Sequence, residues 1–172
     1  FSPRVVEHFG LDYETIRNVD PRAIMVRMPG FGLTGPCRDW VGWALSFEQM
    51  AGCAEVTGEP GGRMFAPGGF ADPVVGMHAA AALQAALAHR DRTGQGQWID
   101  TCLFDSAVAM MAVMNLNYLV TGKPPARAGN AHQNIVPYQV FACADGHLIL
   151  AIGNDSQFAK FCVTADRPAW AV

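Results

Sequence analysis

The sequence predicts an α/β chain. Residues 23–28 form an apolar run of strand length with proline on either side, and residues 98–103 form a second strand-like run. Between them lies a long alanine-rich stretch of helical pattern, residues 73–89, so a strand–helices–strand order is laid down before a further helix and a hairpin follow.

Each element has a local cause. Residues 3–9 read as a short helix that Gly10 stops, and Asp12, with Thr15 and Ile16, opens a second one that ends by Asn18-Val19-Asp20-Pro21. Residues 23–28 then read as a buried parallel strand. Pro29-Gly-Phe-Gly-Leu-Thr-Gly-Pro36 places three glycines and two prolines in eight residues, which suits a backbone held close to another group. Residues 43–53 are helical in pattern, with Leu45, Phe47 and Met50 among the apolar positions. The loops Thr57-Gly-Glu-Pro-Gly-Gly62 and Ala66-Pro-Gly-Gly69 deliver the chain to Asp72. In the helix over 73–89, Val74, Met77, Ala81 and Leu87 share one face. Arg92-Thr-Gly-Gln-Gly-Gln97 turns into the strand 98–103, and residues 105–120 form another helix, with Asp105 as its cap and Thr121-Gly122 closing it. Residues 124–134 are loop-like, and strands over 138–143 and 147–152 flank Asp145-Gly146, a strong hairpin signal.

Composition narrows the function classes. The chain has 172 residues, 51% of them apolar and 16% charged, enough for a substantial core and, by length, one domain as the starting count. A net charge of −3 with scattered Lys and Arg gives no basic field for nucleic acid or an anionic membrane. The most apolar stretch, residues 79–88, is far shorter than the roughly 20 residues a membrane span needs. The five cysteines are far apart and form no CxxC, which suggests neither a metal site nor a disulfide framework and suits a reducing cytoplasm. The chain opens on Phe1 without a signal-peptide pattern, and no closing element is evident over residues 168–172, so a piece of a longer chain is expected.

Asp72 has two readings. Asp followed by Pro73 is a good helix start, the carboxylate accepting first-turn N–H groups and proline fitting the first helical position. A carboxylate there also sits at the positive end of the helix dipole, with glycines before it leaving room for a substrate. Toward an activated acyl group such as a thioester it can act as a nucleophile and form a mixed anhydride. These residues by themselves name no substrate.

Over nearly its whole length the chain resembles the family III CoA-transferases, the group that includes formyl-CoA transferase and the carnitine CoA-transferases. Phe1-Ser-Pro-Arg with Gly10-Leu-Asp-Tyr13 is similar to the family's opening segment, and Pro29-Gly-Phe-Gly-Leu-Thr-Gly-Pro36 to its S-GFG-x-TGP loop. Residues 42–52 and Thr57-Gly-Glu-Pro60 fall where the family has G-Y-D…Q-x-x-SG…TG-x-P. Asp72 with Gly76 matches D-x-x-x-G, and Arg92-Thr-Gly with Gly96-Gln97 and Asp100 matches R-x-x-G-x-GQ-x-VD. Gly129-Asn130 with His132, Pro137-Tyr138 and Asp145-Gly146 is similar to GN-x-H…PY…DG, and Gly153-Asn154-Asp155 to GND.

The resemblance implies that Asp72 is the catalytic nucleophile, that an acyl-CoA and a carboxylic acid acceptor are the substrates, and that no permanently bound cofactor or metal is needed. It implies CoA or substrate contacts at Phe1, whose ring could stack on adenine, and at Gly30, Phe31, Gly32, Trp43, Ala44 and Leu103. Gly129, Asn130 and His132 would form an active-site loop. The implied fold is a homodimer of interlocked rings with a Rossmann-like CoA-binding region, incomplete here. Residues 1–122 belong to the large α/β CoA-binding and catalytic domain, and 123–172 are linker and the start of the small domain. On that basis these residues alone are expected not to turn over substrate.

The chain departs from the pattern at two places. Related α-methylacyl-CoA racemases carry a histidine after the glycine matching Gly42, where this chain has Trp43, which cannot act as an acid or base. The family's usual Asp is Ala44, so Glu48 or Gln49 could replace its contact, although Glu48 is expected on a solvated helix face. His78 is expected in the core, and the loop over 58–62 as a flexible connector. An α-methylacyl-CoA racemase-like activity, an intramolecular CoA-transferase and a non-catalytic acyl-CoA-binding module stay as alternatives.

Overall fold

A computed structural model describes residues 2–171; the Phe1 contact expected from the sequence lies outside them. The chain divides into two compact units, one made of the residues up to Thr57 with Met64–Pro125, the other of Gly58–Arg63 with the residues from Ala126 on.

The first unit is built on a parallel pair, β1 (Met25–Arg27) and β2 (Trp98–Asp100), in the register Met25↔Trp98, Val26↔Ile99, Arg27↔Asp100. Ahead of β1 lie α1 (Pro3–His8) and α2 (Tyr13–Val19); Asp12 caps α2, its Oδ1 accepting the Thr15 N–H at 2.9 Å. β1 is half-buried along its length, not buried as its apolar run suggested, because β2 is its one neighbour in a two-stranded sheet.

Between the strands come α3 (Ala44–Met50), α4 (Cys53–Val56) and α5 (Ala71–Thr93). The single helix expected over 43–53 is broken at Gly52, which adopts the left-handed conformation. Its buried residues are Phe47 and Glu48, while Leu45 and Met50 are 46% and 49% exposed, so the solvated placement of Glu48 is wrong. α5 buries Ala71, Val74, Val75, Ala79 and Ala86, a helical spacing of small side chains, and leaves Met77 and Ala81 exposed. Small residues let it lie close against α3 and α6. It stops at Gly94, whose N–H donates to the Arg90 carbonyl at 2.8 Å, with Arg90 and Arg92 suiting the negative end of the dipole.

The second strand is shorter than expected, and Leu103 begins α6 (Leu103–Met110). The cap of α6 is Cys102, its Sγ accepting the Asp105 N–H at 3.3 Å, so Asp105 lies inside the helix and does not cap it. The helix expected over 105–120 is two, α6 and α7 (Ala112–Thr121), bent by 69° from one another. Among the described residues no single helix is long and apolar enough to cross a membrane.

In the second unit, β3 (Tyr138–Cys143) and β4 (Gly146–Ala151) pair antiparallel, Cys143↔Gly146 closing a two-residue turn where the Asp-Gly signal places it. Two elements unforeseen in the sequence follow: α8 (Asp155–Thr164), capped by Asn154 through the Gln157 N–H at 3.0 Å, and a 3-10 turn at Pro168–Trp170. The loop Gly58–Arg63 is part of this unit and is no free connector. Its Gly58 carbonyl accepts the Gly129 N–H at 3.0 Å, and the Arg127 guanidinium donates to the Gly62 carbonyl.

Candidate active site

Asp72 is the second residue of α5, exposed, with Phe70 at the cap position and no side-chain capping bond from it. The expected cap at Asp72 is therefore displaced by two residues, and the capping acceptor comes from elsewhere in the chain. Glu48, wholly buried, reaches from α3 to the turn that precedes Asp72. Its Oε1 accepts the N–H of Gly69 at 2.8 Å and of Ala71 at 3.2 Å, and its Oε2 accepts the N–H of Gly68 at 3.2 Å. Gly68 and Gly69 have φ of 88° and 95°, a conformation side-chain-bearing residues avoid, and it lets both N–H groups converge on one carboxyl group. Among the described residues the Asp72 carboxylate has no hydrogen-bond or ion-pair partner.

The glycine-rich segment after β1 is fastened to α3 and α6. The carbonyls of Pro29 and Gly30 accept the N–H groups of Leu103 and Phe104 at 3.2 and 3.0 Å. Phe31 packs against Phe47, Trp40 and Phe104, with ring centroids 5.0, 5.7 and 5.9 Å apart. A Cβ at Gly30 would meet Phe47 Cζ at 2.7 Å, so glycine there is a matter of space. Gly30→Ala is expected to destabilise the full-length protein by about 1–3 kcal/mol, because Phe47 is buried and cannot yield; a urea unfolding curve reads the loss directly.

The structure thus brings Gly30, Phe31 and Leu103 to one helix-lined wall, with α3 packed between that wall and the Gly68–Ala71 turn. Trp43 caps α3 and is 84% exposed, and Ala44 is its first residue; neither makes a polar side-chain contact at Asp72. Gly32 has φ of 83° and lies half-buried within the same segment. His78 is exposed, correcting the core expectation, and its Nδ1 lies 3.1 Å from the Oγ of buried Ser106, tying α5 to α6.

Two of the buried cysteines have perturbed thiols. Burial, reinforced by the Glu48 carboxylate, pushes the Cys53 thiol up, and burial pushes Cys102 up to about 11, so both stay protonated near neutrality. Among the described residues no cluster of three His, Cys, Asp or Glu side chains is placed to hold a metal ion. A cavity of about 290 Å³ lined by Glu7, Asp12, Tyr13, Glu14, Arg27 and Arg38 contains none of the expected site residues.

Gly129, Asn130 and His132 belong to the second unit, where the polar side chains are spent on the loop itself. Asn130 Oδ1 accepts the Val140 N–H at 2.9 Å, and His132 Nδ1 accepts the N–H groups of Asn134 and Ile135 at 3.0 and 3.1 Å. The His132 ring also lies against Tyr138, centroids 5.3 Å apart. These bonds hold the loop in shape against β3.

Glu48 is the residue that sequence reasoning misplaced. Its signal is the helix period: Ala44, Phe47 and Glu48, with the C-cap Ala51, fall on one side of α3, where Phe47 and Glu48 are buried and the two alanines half-buried.

The chain is 47% identical over 155 residues to a succinate–glutarate CoA-transferase of Agrobacterium fabrum, covering 90% of this chain and 39% of that protein. It is 37% identical over 169 residues to a succinyl-CoA:glutarate CoA-transferase of Mus musculus, covering 98% of this chain and again 39% of the relative. It therefore spans about two-fifths of the length of these curated relatives. A crystal structure of a CaiB/BaiF family protein from Brucella suis superposes with a TM-score of 0.78 at 40% identity, over 99% of this chain and 46% of the other. The sequence profile of the family described as CoA-transferase family III covers residues 1–172, and to that family the chain belongs.

Proposed function

We propose that the full-length protein moves CoA from an acyl-CoA thioester to a free carboxylic acid, with Asp72 as the nucleophile and short dicarboxylic acids as the acyl groups. The observation that carries this reading is the exposed Asp72 carboxylate at the start of α5, matching the family's D-x-x-x-G and left unbonded because Glu48 does the capping. The dicarboxylate preference is supported by the names of the two relatives, which act on succinate or its CoA ester and glutarate.

In the proposed sequence one Asp72 oxygen attacks the thioester carbonyl carbon. The C–S bond breaks, and an aspartyl-acyl anhydride and CoA thiolate are left. The thiolate attacks the Asp72 carbonyl of the anhydride, releasing the donor acid and leaving an aspartyl-CoA thioester. The acceptor carboxylate then attacks that thioester, expelling the thiolate again, and the thiolate takes the acceptor acyl group from the second anhydride. Asp72 returns to a carboxylate, no proton or electron is consumed, and water must be kept from both anhydrides. The indole of Trp43 offers no acid or base, which supports transfer over racemisation. A homodimer is the assembly proposed for the whole protein.

The test is mass spectrometry of the full-length enzyme incubated with succinyl-CoA and quenched. A CoA adduct on the peptide that holds Asp72 is expected. Turnover of succinyl-CoA and glutarate with no adduct there would remove the covalent role.

A further inference from the structure

We propose that Glu48 is a positioning residue for the nucleophile: its buried carboxyl group takes over the capping of α5 and so leaves both oxygens of Asp72 available to attack. The inference rests on the reading of Asp72 as nucleophile and adds a residue in a different helix to that reading.

The argument begins from what Asp72 would otherwise do. An Asp at the start of a helix is among the best caps, and a capping oxygen is engaged by backbone N–H groups. Such an Asp is held in place, but one oxygen is occupied and its lone pairs are drawn toward the backbone. In α5 this task has been moved. Glu48 accepts the N–H of Ala71, the first residue of the helix, together with the N–H groups of Gly68 and Gly69 from the turn before it. Pro73 has no N–H to offer, and the Val74 N–H is used within the helix, donating to the Phe70 carbonyl at 3.1 Å. Glu48 therefore caps the first N–H of α5 with one bond and holds the turn before it with two more.

The placement of Glu48 has no other evident use. It is 0% exposed, forms no ion pair among the described residues, and its hydrogen bonds among them are those three. Burying a carboxyl group costs free energy unless its hydrogen-bonding capacity is met, and here it is met entirely by the turn that carries the nucleophile. Those bonds fasten the turn, with both its glycines left-handed, to α3, and Phe47, the residue before Glu48, is packed under the Gly30 segment. A shift in α3 is thereby transmitted to Asp72.

The experiment uses the full-length enzyme with succinyl-CoA and glutarate, comparing Glu48→Gln, Glu48→Ala and Asp72→Ala. Gln keeps the shape and one accepting oxygen for Gly69 and Ala71 but turns an N–H group toward Gly68 N–H, so one bond of three is lost and two donors face each other. Expected is a fall in kcat of about tenfold for Glu48→Gln and about a hundredfold for Glu48→Ala, with KM within about threefold, as for a group displaced by a fraction of an ångström to an ångström. The CoA adduct on Asp72 forms correspondingly more slowly, and amide hydrogen exchange at residues 68–71 accelerates. If the Glu48 variants have a lowered Tm but wild-type kcat per folded molecule while Asp72→Ala is inactive, the role is structural and the positioning inference is overturned with the nucleophile intact. If Asp72→Ala itself turns over, the nucleophile reading fails and the inference with it. Should Glu48→Ala not fold, Glu48→Gln decides.

Discussion

Replacing Asp72 by alanine in the full-length protein is expected to lower kcat by at least about 10⁴-fold, on the scale seen when a covalent nucleophile is removed, and to leave the Kd for an acyl-CoA within about threefold. The structural reason for expecting so clean a separation is the position. Asp72 is exposed in the first turn of a 23-residue helix, bonded to nothing among the described residues, and alanine is the best helix former, so the fold should lose no more than about 0.5 kcal/mol. Rate and stability are then read independently by steady-state kinetics and thermal unfolding. The capping role of Glu48 makes the prediction sharper than it would be for a capping Asp, whose removal would fray the helix and confound the two. A variant that keeps its turnover would mean that another group is the nucleophile, whereas a full-length protein that binds acyl-CoA with no turnover before or after the change would be a binding module. One that loses binding and rate together would place Asp72 in recognition of the substrate, not in the reaction. An intramolecular transferase would show the same loss, and is told apart by isomerising a single diacid ester with no acceptor added.

What could be read from the sequence divides along physical lines. Local signals translated directly: Asp12 with Thr15 made the cap of α2, Asp145-Gly146 made the hairpin, and the apolar run over 23–28 made a strand. Signals that depend on a partner segment did not. The cap of α5 is supplied by a residue 23 positions earlier, so inspection of Ala71-Asp72-Pro73 favoured the local acceptor, Asp72. The buried face of α3 was sought among its largest apolar side chains, yet the packing against α5 and α6 is close and admits Phe47 with Ala44 and Ala51, leaving Leu45 and Met50 outward. That choice of face carried Glu48 out to solvent. α8 carries its own local signals: Asn154 is a strong cap, and Phe158, Phe161 and Cys162 follow at helical spacing. The motif series located Asp72, and the acceptor that frees it came only from three-dimensional contacts.

Phe47→Ala is expected to be the most destabilising single change in the first unit, at about 3–5 kcal/mol, the range for deleting a buried aromatic side chain. The ring is 2% exposed and fills the space left by Gly30, packs against Phe31, and sits beside Glu48 in sequence, so its loss opens a cavity under both the glycine segment and the capping carboxyl group. The same contact makes a second outcome predictable. Alone, Gly30→Ala is unfavourable because its Cβ enters the Phe47 ring at 2.7 Å. In the Phe47→Ala background that collision is gone, and the added methyl group occupies part of the cavity. The double variant should therefore be more stable than the sum of the single changes, by an interaction of about 1–3 kcal/mol for side chains in direct contact. Urea unfolding of the four full-length proteins closes the cycle. Strict additivity would mean that the two positions do not touch in the folded protein, which would remove the wall that α3 builds beneath the Gly30 segment. A large interaction, accompanied by a kcat that falls in Phe47→Ala and partly recovers in the double variant, would tie the packing of that wall to the placement of Asp72.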